Sequence, residues 1–334
     1  MSMRAWMLET CDARYVSTGH LPPGDLLQAL VKQAYEQYRS NTDGRTSDVY
    51  PALAATPRDL FGIAVIGISG SAYAAGDVDY AFTIMSVAKP FVFALACEAL
   101  GTERLRDLVG VNATGLPFNS ATAVERSRDG RTNPMVNAGA IATTSLMPGR
   151  SAAERWRAIQ DGLSRFAGRR LALNESVYAS ASATNLRNQS IARLLRSRGR
   201  LYLDPAEATD LYTRQSSLNV TAMDLAVMGA TLADGGVNPL SRERVVAEAV
   251  CRCTLSVMAT AGLYETSGDW LYDVGLPGKS GIGGGLVIVS PGKGAVGTFA
   301  PLLDAAGNSI KGQLVARFLS RRLGLDLFAS TPDG

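Results

Sequence analysis

Histidine is almost missing from this chain: His20 is the only one among 334 residues. A Ser-His-Asp or Cys-His catalytic system would have to be built on that one residue, which precedes every strongly periodic segment. Zinc chemistry is equally short of ligands. The cysteines are Cys11, Cys97, Cys251 and Cys253, and the last two form a C-x-C with neither a second pair nor a neighbouring histidine. Cysteines so few and so unevenly placed read as thiols of a reduced, cytoplasmic protein. Long apolar runs are lacking too. Phe91 to Cys97 is the longest, and Glu98 ends it far short of the roughly 20 residues that a membrane span needs. Met1 to Arg14 carries Arg4, Glu9, Asp12 and Arg14 without an apolar core, unlike a secretory leader. Charge of one sign is scarce as well, at a formal net +3, which points to neither nucleic acid nor membrane. The tightest basic stretch, Arg193, Arg196, Arg198 and Arg200, has no interleaved aromatic residue on which bases could stack, so it reads as a solvated helix end.

These absences narrow the chemistry. A hydrolase with this composition needs lysine, tyrosine or a carboxylate as its base. With 46% hydrophobic and 19% charged residues, the chain is an ordinary globular protein, long enough for one large domain or two lobes sharing a cleft.

Leu26, Leu27, Leu30, Val31 and Ala34 recur at helical spacing after Pro22-Pro23, so a helix starts near Gly24. Phe61 to Ile68 reads as a buried strand, Ser69-Gly70-Ser71 as a turn, and Ala72 to Ala75 as the return strand. From Ser86 to about Ala261 the chain is mostly helical, with clear periodicity over Leu186 to Leu201 and Thr221 to Leu232. After Gly262 a second hairpin follows, Leu286 to Val289 and Ala295 to Ala300 around Pro291-Gly292, and then a helix from Ser309 to Leu323. The expected fold class is α+β: an antiparallel sheet built from both chain ends, flanked by terminal helices, with a helical lobe inserted. Residues 21–85 and 265–330 would form one lobe and 86–264 the other, within one catalytic domain over 21–330 behind an extension of residues 1–20. Ser86 would stand at the first crossing between lobes and Gly278 near the second.

Three segments carry chemistry. Ser86-Val87-Ala88-Lys89 is an S-x-x-K, and residues three apart on a helix share a face, so the amine can reach the hydroxyl. Chance produces this motif often, usually as a surface pair. Here it opens an almost wholly apolar helix, where a buried lysine would have a lowered pKa. Gly278 to Gly285, G-K-S-G-I-G-G-G, fails the phosphate-loop pattern because its first glycine should fall at Asp273. The alternative is K-[ST]-G on an edge strand, which accompanies S-x-x-K in serine β-lactamases; Lys279 would offer a positive charge there. Arg131 to Ala140, with Asn133-Pro134 and Asn137, is either a plain turn into a small-residue helix or the source of an amide that holds substrate.

At these segments the sequence resembles the bacterial and mitochondrial serine-dependent glutaminases, which share the β-lactamase-like fold. The resemblance runs from about Asp25 to Phe328 and includes Pro117-Phe118-Asn119-Ser120, Asn137 to Ala140, Val227 to Leu232 and Gly275 to Gly281. It implies deamidation of L-glutamine through an acyl-serine intermediate, no metal or organic cofactor, and a homodimer or homotetramer. Carried over by motif, Ser86 is the nucleophile and Lys89 the base. Asn137 and Asn188 bind substrate, Tyr212 and Tyr264 are the active-site tyrosines, and the N–H groups of Ser86 and Ile282 match the oxyanion hole.

The departures bear on substrate. Family members usually carry a glutamate seven residues before the R-N asparagine, where it pairs with the α-ammonium of glutamine, and this chain has Ala181. Glu175 could substitute only by loop rearrangement. Met85 stands where many members have glutamine, and Pro90 cannot donate to the Ser86 carbonyl. Three readings follow: a glutaminase, an acyl-serine hydrolase or acyltransferase for a glutamine-like amide without a free amino group, or a non-catalytic relative. On either enzymatic reading, His20→Ala should retain amidase activity while Lys89→Ala loses it, both checked by ammonia release from folded protein. Loss in His20→Ala would place the base on imidazole after all.

Overall fold

The computed structural model describes residues 21–329, so His20, Cys11 and the expected N-terminal extension lie outside the described residues. Period-two alternation in strands far apart in sequence builds the centre. β1 (Gly62–Gly67) turns at Gly70 into β2 (Ala72–Gly76), its antiparallel partner. β6 (Gly285–Ser290) turns into β7 (Gly294–Phe299), and β7 pairs antiparallel with β1, Ile66 opposite Ala295 and Gly62 opposite Phe299. With β5 (Gly278–Ser280) on the far edge, the order is β2-β1-β7-β6-β5.

Alternate residues then face opposite layers. Ile63, Val65, Leu286, Ile288 and Val296 pack with Leu27, Leu30 and Val31 of α1 (Gly24–Tyr38) and Val315 and Leu319 of α14 (Ile310–Leu323). Ala64, Ile66, Val287, Val289, Ala295 and Phe299 join the larger core with α11 (Ala222–Ala233). Terminal helices therefore cover one face, and the inserted helices cover the other.

α2 (Pro51–Ala54), which precedes β1, lies against the insertion, and β3 (Phe82–Thr83) leads into it. The insertion continues through α3 (Ala88–Leu100), α4 (Thr102–Val109), α5 (Thr122–Arg126), α6 (Asn137–Thr144) and α7 (Ala152–Ala167). α8 (Glu175–Thr184), α9 (Leu186–Ser197), α10 (Pro205–Ser216), β4 (Asn219–Val220), α11 and α12 (Glu248–Ala261) complete it. Every residue of α3 from Ala88 to Cys97 is buried, as expected of a helix apolar all round. Thr221 caps α11 in a capping box with Asp224. Among the described residues no single helix is long and apolar enough to cross a membrane.

Two expectations shift. The helix foreseen at Ser86 begins at Ala88, after a 3-10 turn over Met85–Val87. Pro90 is thus the third residue of α3, where a backbone N–H has no intrahelical acceptor to lose. A short helix, α13 (Ser267–Val274), also intervenes before β5, because Trp270 and Val274 are drawn into the core under the sheet.

α11 approaches β7 so closely that a Cβ at Gly297 would lie against the Ala222 carbonyl and 2.5 Å from the Ala226 nitrogen. Neither backbone can yield without moving the helix. Gly297→Val should destabilise the fold by about 1–3 kcal/mol or more through overpacking, read as a lowered melting temperature. An unchanged melting temperature would contradict this packing.

Candidate active site

Ser86 is presented by strained backbone. Met85 adopts φ 47°, a left-handed conformation that costs a non-glycine residue of order 1–3 kcal/mol. Strand β5 passes beside it. A Cβ at Gly281, just after β5, would stand 3.1 Å from the Ile84 carbonyl oxygen and 3.2 Å from the Ser86 nitrogen, so glycine eases the close approach of this segment to the serine's backbone. Tyr264, at φ 59°, is a second left-handed residue, in the 3-10 turn after α12.

Around Ser86 the polar groups form one connected set. Lys89, 2% exposed, donates from Nζ to Asn137 Oδ1 at 2.7 Å and to the Met135 carbonyl at 3.4 Å. Asn137 Oδ1 also accepts from the Tyr212 hydroxyl at 3.1 Å, and Asn137 Nδ2 donates to Asn188 Oδ1 at 2.8 Å. Asn188 in turn hydrogen-bonds Tyr50. The Ser86 hydroxyl lies beside the phenols of both Tyr212 and Tyr264 and partly offsets the effect of their burial. Asn137 is the hub, and it is fixed by its own N–H, which donates to the Phe118 carbonyl at 2.8 Å.

Burial sets the protonation states. It lowers Lys89 from the usual lysine value to about 7. Tyr264 is pushed up to about 12 and Tyr212 well above the ordinary phenol, both mainly by desolvation. Lys279 is held well below the ordinary amine by burial and by the Lys89 charge. A neutral amine at Lys89 has two N–H groups, matching its two acceptors, and one lone pair left over. Among the described residues no cluster of His, Cys, Asp and Glu could hold a metal ion.

A cavity of about 80 Å³ opens onto Ser86, and Asn137, Asn188, Tyr212 and Ile282 also line it. Larger clefts of about 420 and 750 Å³ on the helical lobe contain none of these residues. Ser86 and the amides of Asn137 and Asn188 face this small cavity, and the Lys89 amine lies behind its wall, hydrogen-bonded to Asn137.

A family model described as Glutaminase matches residues 44–328. The chain is 67% identical to Glutaminase 2 of Yersinia pestis, over 95% of this chain and 94% of that one. It is also 47% identical to a glutaminase of Brucella suis biovar 1, covering 92% of this chain and 96% of the relative. The chain belongs to the glutaminase family. A solved structure described as a probable glutaminase superposes with a TM-score of 0.91 at 44% identity, covering 92% of this chain and 100% of that one. Another, described as Mglu in its L-glutamate binding form, gives 0.86 at 38% identity, over 92% and 69% of the two chains. The fold is β-lactamase-like, and the enzyme is an amidohydrolase that converts L-glutamine to L-glutamate and ammonia.

Within this glutaminase, Tyr264 lies beside Ser86 and Lys89 Nζ is 5.9 Å from the Tyr264 ring centroid; neither side chain lines the cavity directly. Lys279 is elsewhere: fully buried, with Nζ donating to the Ser280 carbonyl at 2.6 Å and lying 4.1 Å from the Tyr264 ring centroid. It backs the tyrosine and, like Tyr264, does not line the cavity. Ala181 is 1% exposed in α8, and Glu175 is exposed at the start of that helix; neither lines the cavity. Sequence reasoning missed several lining residues, Tyr50 and Arg187 among them. Tyr50 comes from the irregular segment before α2 and carries no periodic signal. Arg187 was visible only as the neighbour of Asn188.

Because Lys89 titrates by desolvation alone, a charge placed at its hub should move it. Asn137→Asp sets a carboxylate beside the amine, favours the ammonium and raises the lysine pKa. The acid limb of kcat/KM should then move upward by about one pH unit or more, measured by glutaminase pH profiles against wild type. A limb that stays in place would detach it from Lys89.

Proposed function

We propose that glutamine hydrolysis proceeds through an acyl-enzyme on Ser86, with Lys89 as the base. Ser86 Oγ attacks the side-chain amide carbon of glutamine while its proton passes to the Lys89 lone pair. The N–H groups of Ser86 and Ile282 are the donors for the oxyanion. The C–N bond then breaks, and the nitrogen leaves as ammonia with a proton returned from Lys89 or relayed by Tyr264. Water attacks the ester, transferring its proton to Lys89, and glutamate departs as Ser86 regains its hydrogen. The observation that carries this reading is the buried Lys89 amine, lowered to about 7 and bonded to the two acceptors that a neutral amine requires. A structural relative described in an L-glutamate binding form supports glutamate as the product held in this cavity.

Asn137 and Asn188 are proposed to hold the substrate's polar ends and Tyr212 to orient the serine. Lys279 acts from behind Tyr264 rather than on substrate. The same proposal extends to a cytoplasmic homodimer or homotetramer with one domain over 21–330, supported by the family resemblance.

The base must be neutral to work, so activity should be present above the Lys89 pKa and fall as pH drops through about 7. The two phenols, raised by burial, should impose no alkaline loss below about pH 10. Ser86→Ala should abolish turnover in folded protein, and rapid quenching of wild type with glutamine should show a glutamyl adduct on the Ser86 peptide by mass spectrometry. Wild-type rates in Ser86→Ala, with contaminating amidase removed, would refute the mechanism.

A further inference from the structure

The cavity over Ser86 is lined by fourteen residues, and none is aspartate or glutamate. Its one charged side chain is Arg187, whose Nε donates to the Asn119 carbonyl at 2.9 Å and which has no carboxylate partner among the described residues. Behind the wall stand Lys89 and Lys279, both lysines. L-Glutamine brings two charges besides its amide. Its α-carboxylate complements Arg187. Its α-ammonium finds only neutral acceptors, and several are already engaged: Asn137 Oδ1 by Lys89 and Tyr212, Asn188 Oδ1 by Asn137, and the Asn119 carbonyl by Arg187.

Acidic side chains do occur next door. Asp48 and Asp304 line an adjoining pocket of about 110 Å³ that shares Val49, Phe118 and Ile282 with the catalytic cavity. Asp304 is occupied by the N–H groups of Ala306 and Asn308 and by Gln313 Nε2. Asp48 is exposed to solvent on the far side of that shared wall.

We propose that this site also hydrolyses ω-amides of dicarboxylic acids that carry no α-ammonium, glutaramate being the simplest, as readily as L-glutamine. The inference rests on the acyl-serine reading above and concerns substrate selection by the same cavity. Glutaramate keeps the carboxylate that meets Arg187 and the amide that meets Ser86. It drops only the cation that the lining does not pair. A site that binds a substrate group through a dedicated polar partner rejects the analogue lacking it, whereas a site without that partner does not. The reaction is balanced as before: the C–N bond breaks, water supplies the hydroxyl, and glutarate and ammonia leave.

The test is ammonia release by the purified full-length enzyme, with kcat/KM measured for L-glutamine and for glutaramate at equal ionic strength. The expected kcat/KM for glutaramate lies within about tenfold of that for L-glutamine, since an unpaired ammonium forgoes the larger gain of a charged partner. A loss greater than tenfold overturns the proposal. A second arm introduces the missing charge. Thr184 lines the cavity at the end of α8, and Thr184→Asp should shift the kcat/KM ratio at least threefold toward L-glutamine. A shift toward glutaramate would overturn the proposal. So would Asp48→Asn, if it lowered kcat/KM for L-glutamine about tenfold and left glutaramate untouched. Failure of this inference is distinguishable from failure of the mechanism: turnover surviving Ser86→Ala sinks the latter, whereas discrimination between two substrates that both need Ser86 sinks only the former.

Discussion

Burying an amine without a carboxylate is the condition on which this active site depends. Lys89 sits on a helix whose first ten residues are all inaccessible, and desolvation alone brings it to about 7. A neighbouring aspartate would restore the ammonium and end its use as a base. The surroundings are accordingly neutral dipoles: two asparagines, three tyrosines, a serine and backbone carbonyls. The same constraint explains why the chain can do amide hydrolysis with histidine all but absent. In the proposed mechanism the proton acceptor is made by environment rather than by residue type.

The fold supplies that environment by joining remote segments. Pairing of β1 with β7 brings residues 62–67 against 294–299, which sets β5 and the Gly281 that follows it beside the 3-10 turn holding Ser86. α6 delivers Asn137 from one side, and α9 and α10 deliver Asn188 and Tyr212 from another. Each side chain is held by a neighbour in the set, so the cavity is shaped before substrate arrives. Strain at Met85 and Tyr264 is concentrated where backbone must bend to expose a reacting group, and the tightly packed helices around it maintain it.

The same neutrality has a consequence for selectivity. A cavity without acid protects the base, but it also leaves a cationic substrate group without a charged partner. Arg187 is the one charged side chain in the lining, and the rest of the wall offers shape and neutral hydrogen-bonding groups. Glutamine hydrolysis is the activity shared with relatives. How strictly this enzyme requires the amino group is decided by the lining.

By itself the sequence determined the layers and the chemistry's ingredients. Continuous apolar runs in Phe61 to Ile68 and Leu286 to Val289 marked buried strands, and the scarcity of histidine together with S-x-x-K pointed to lysine. Local patterns suffice there, because periodicity and motif spacing are properties of neighbours in the chain. Only the tertiary structure decided that Ser86 lies in a 3-10 turn, that Lys279 turns behind Tyr264, that Ala181 packs away inside α8, and that Tyr50 and Arg187 face the cavity. Those outcomes depend on contacts such as Tyr50 with Asn188 and Lys89 with Asn137. No local signal encodes a partnership between residues that only folding brings together.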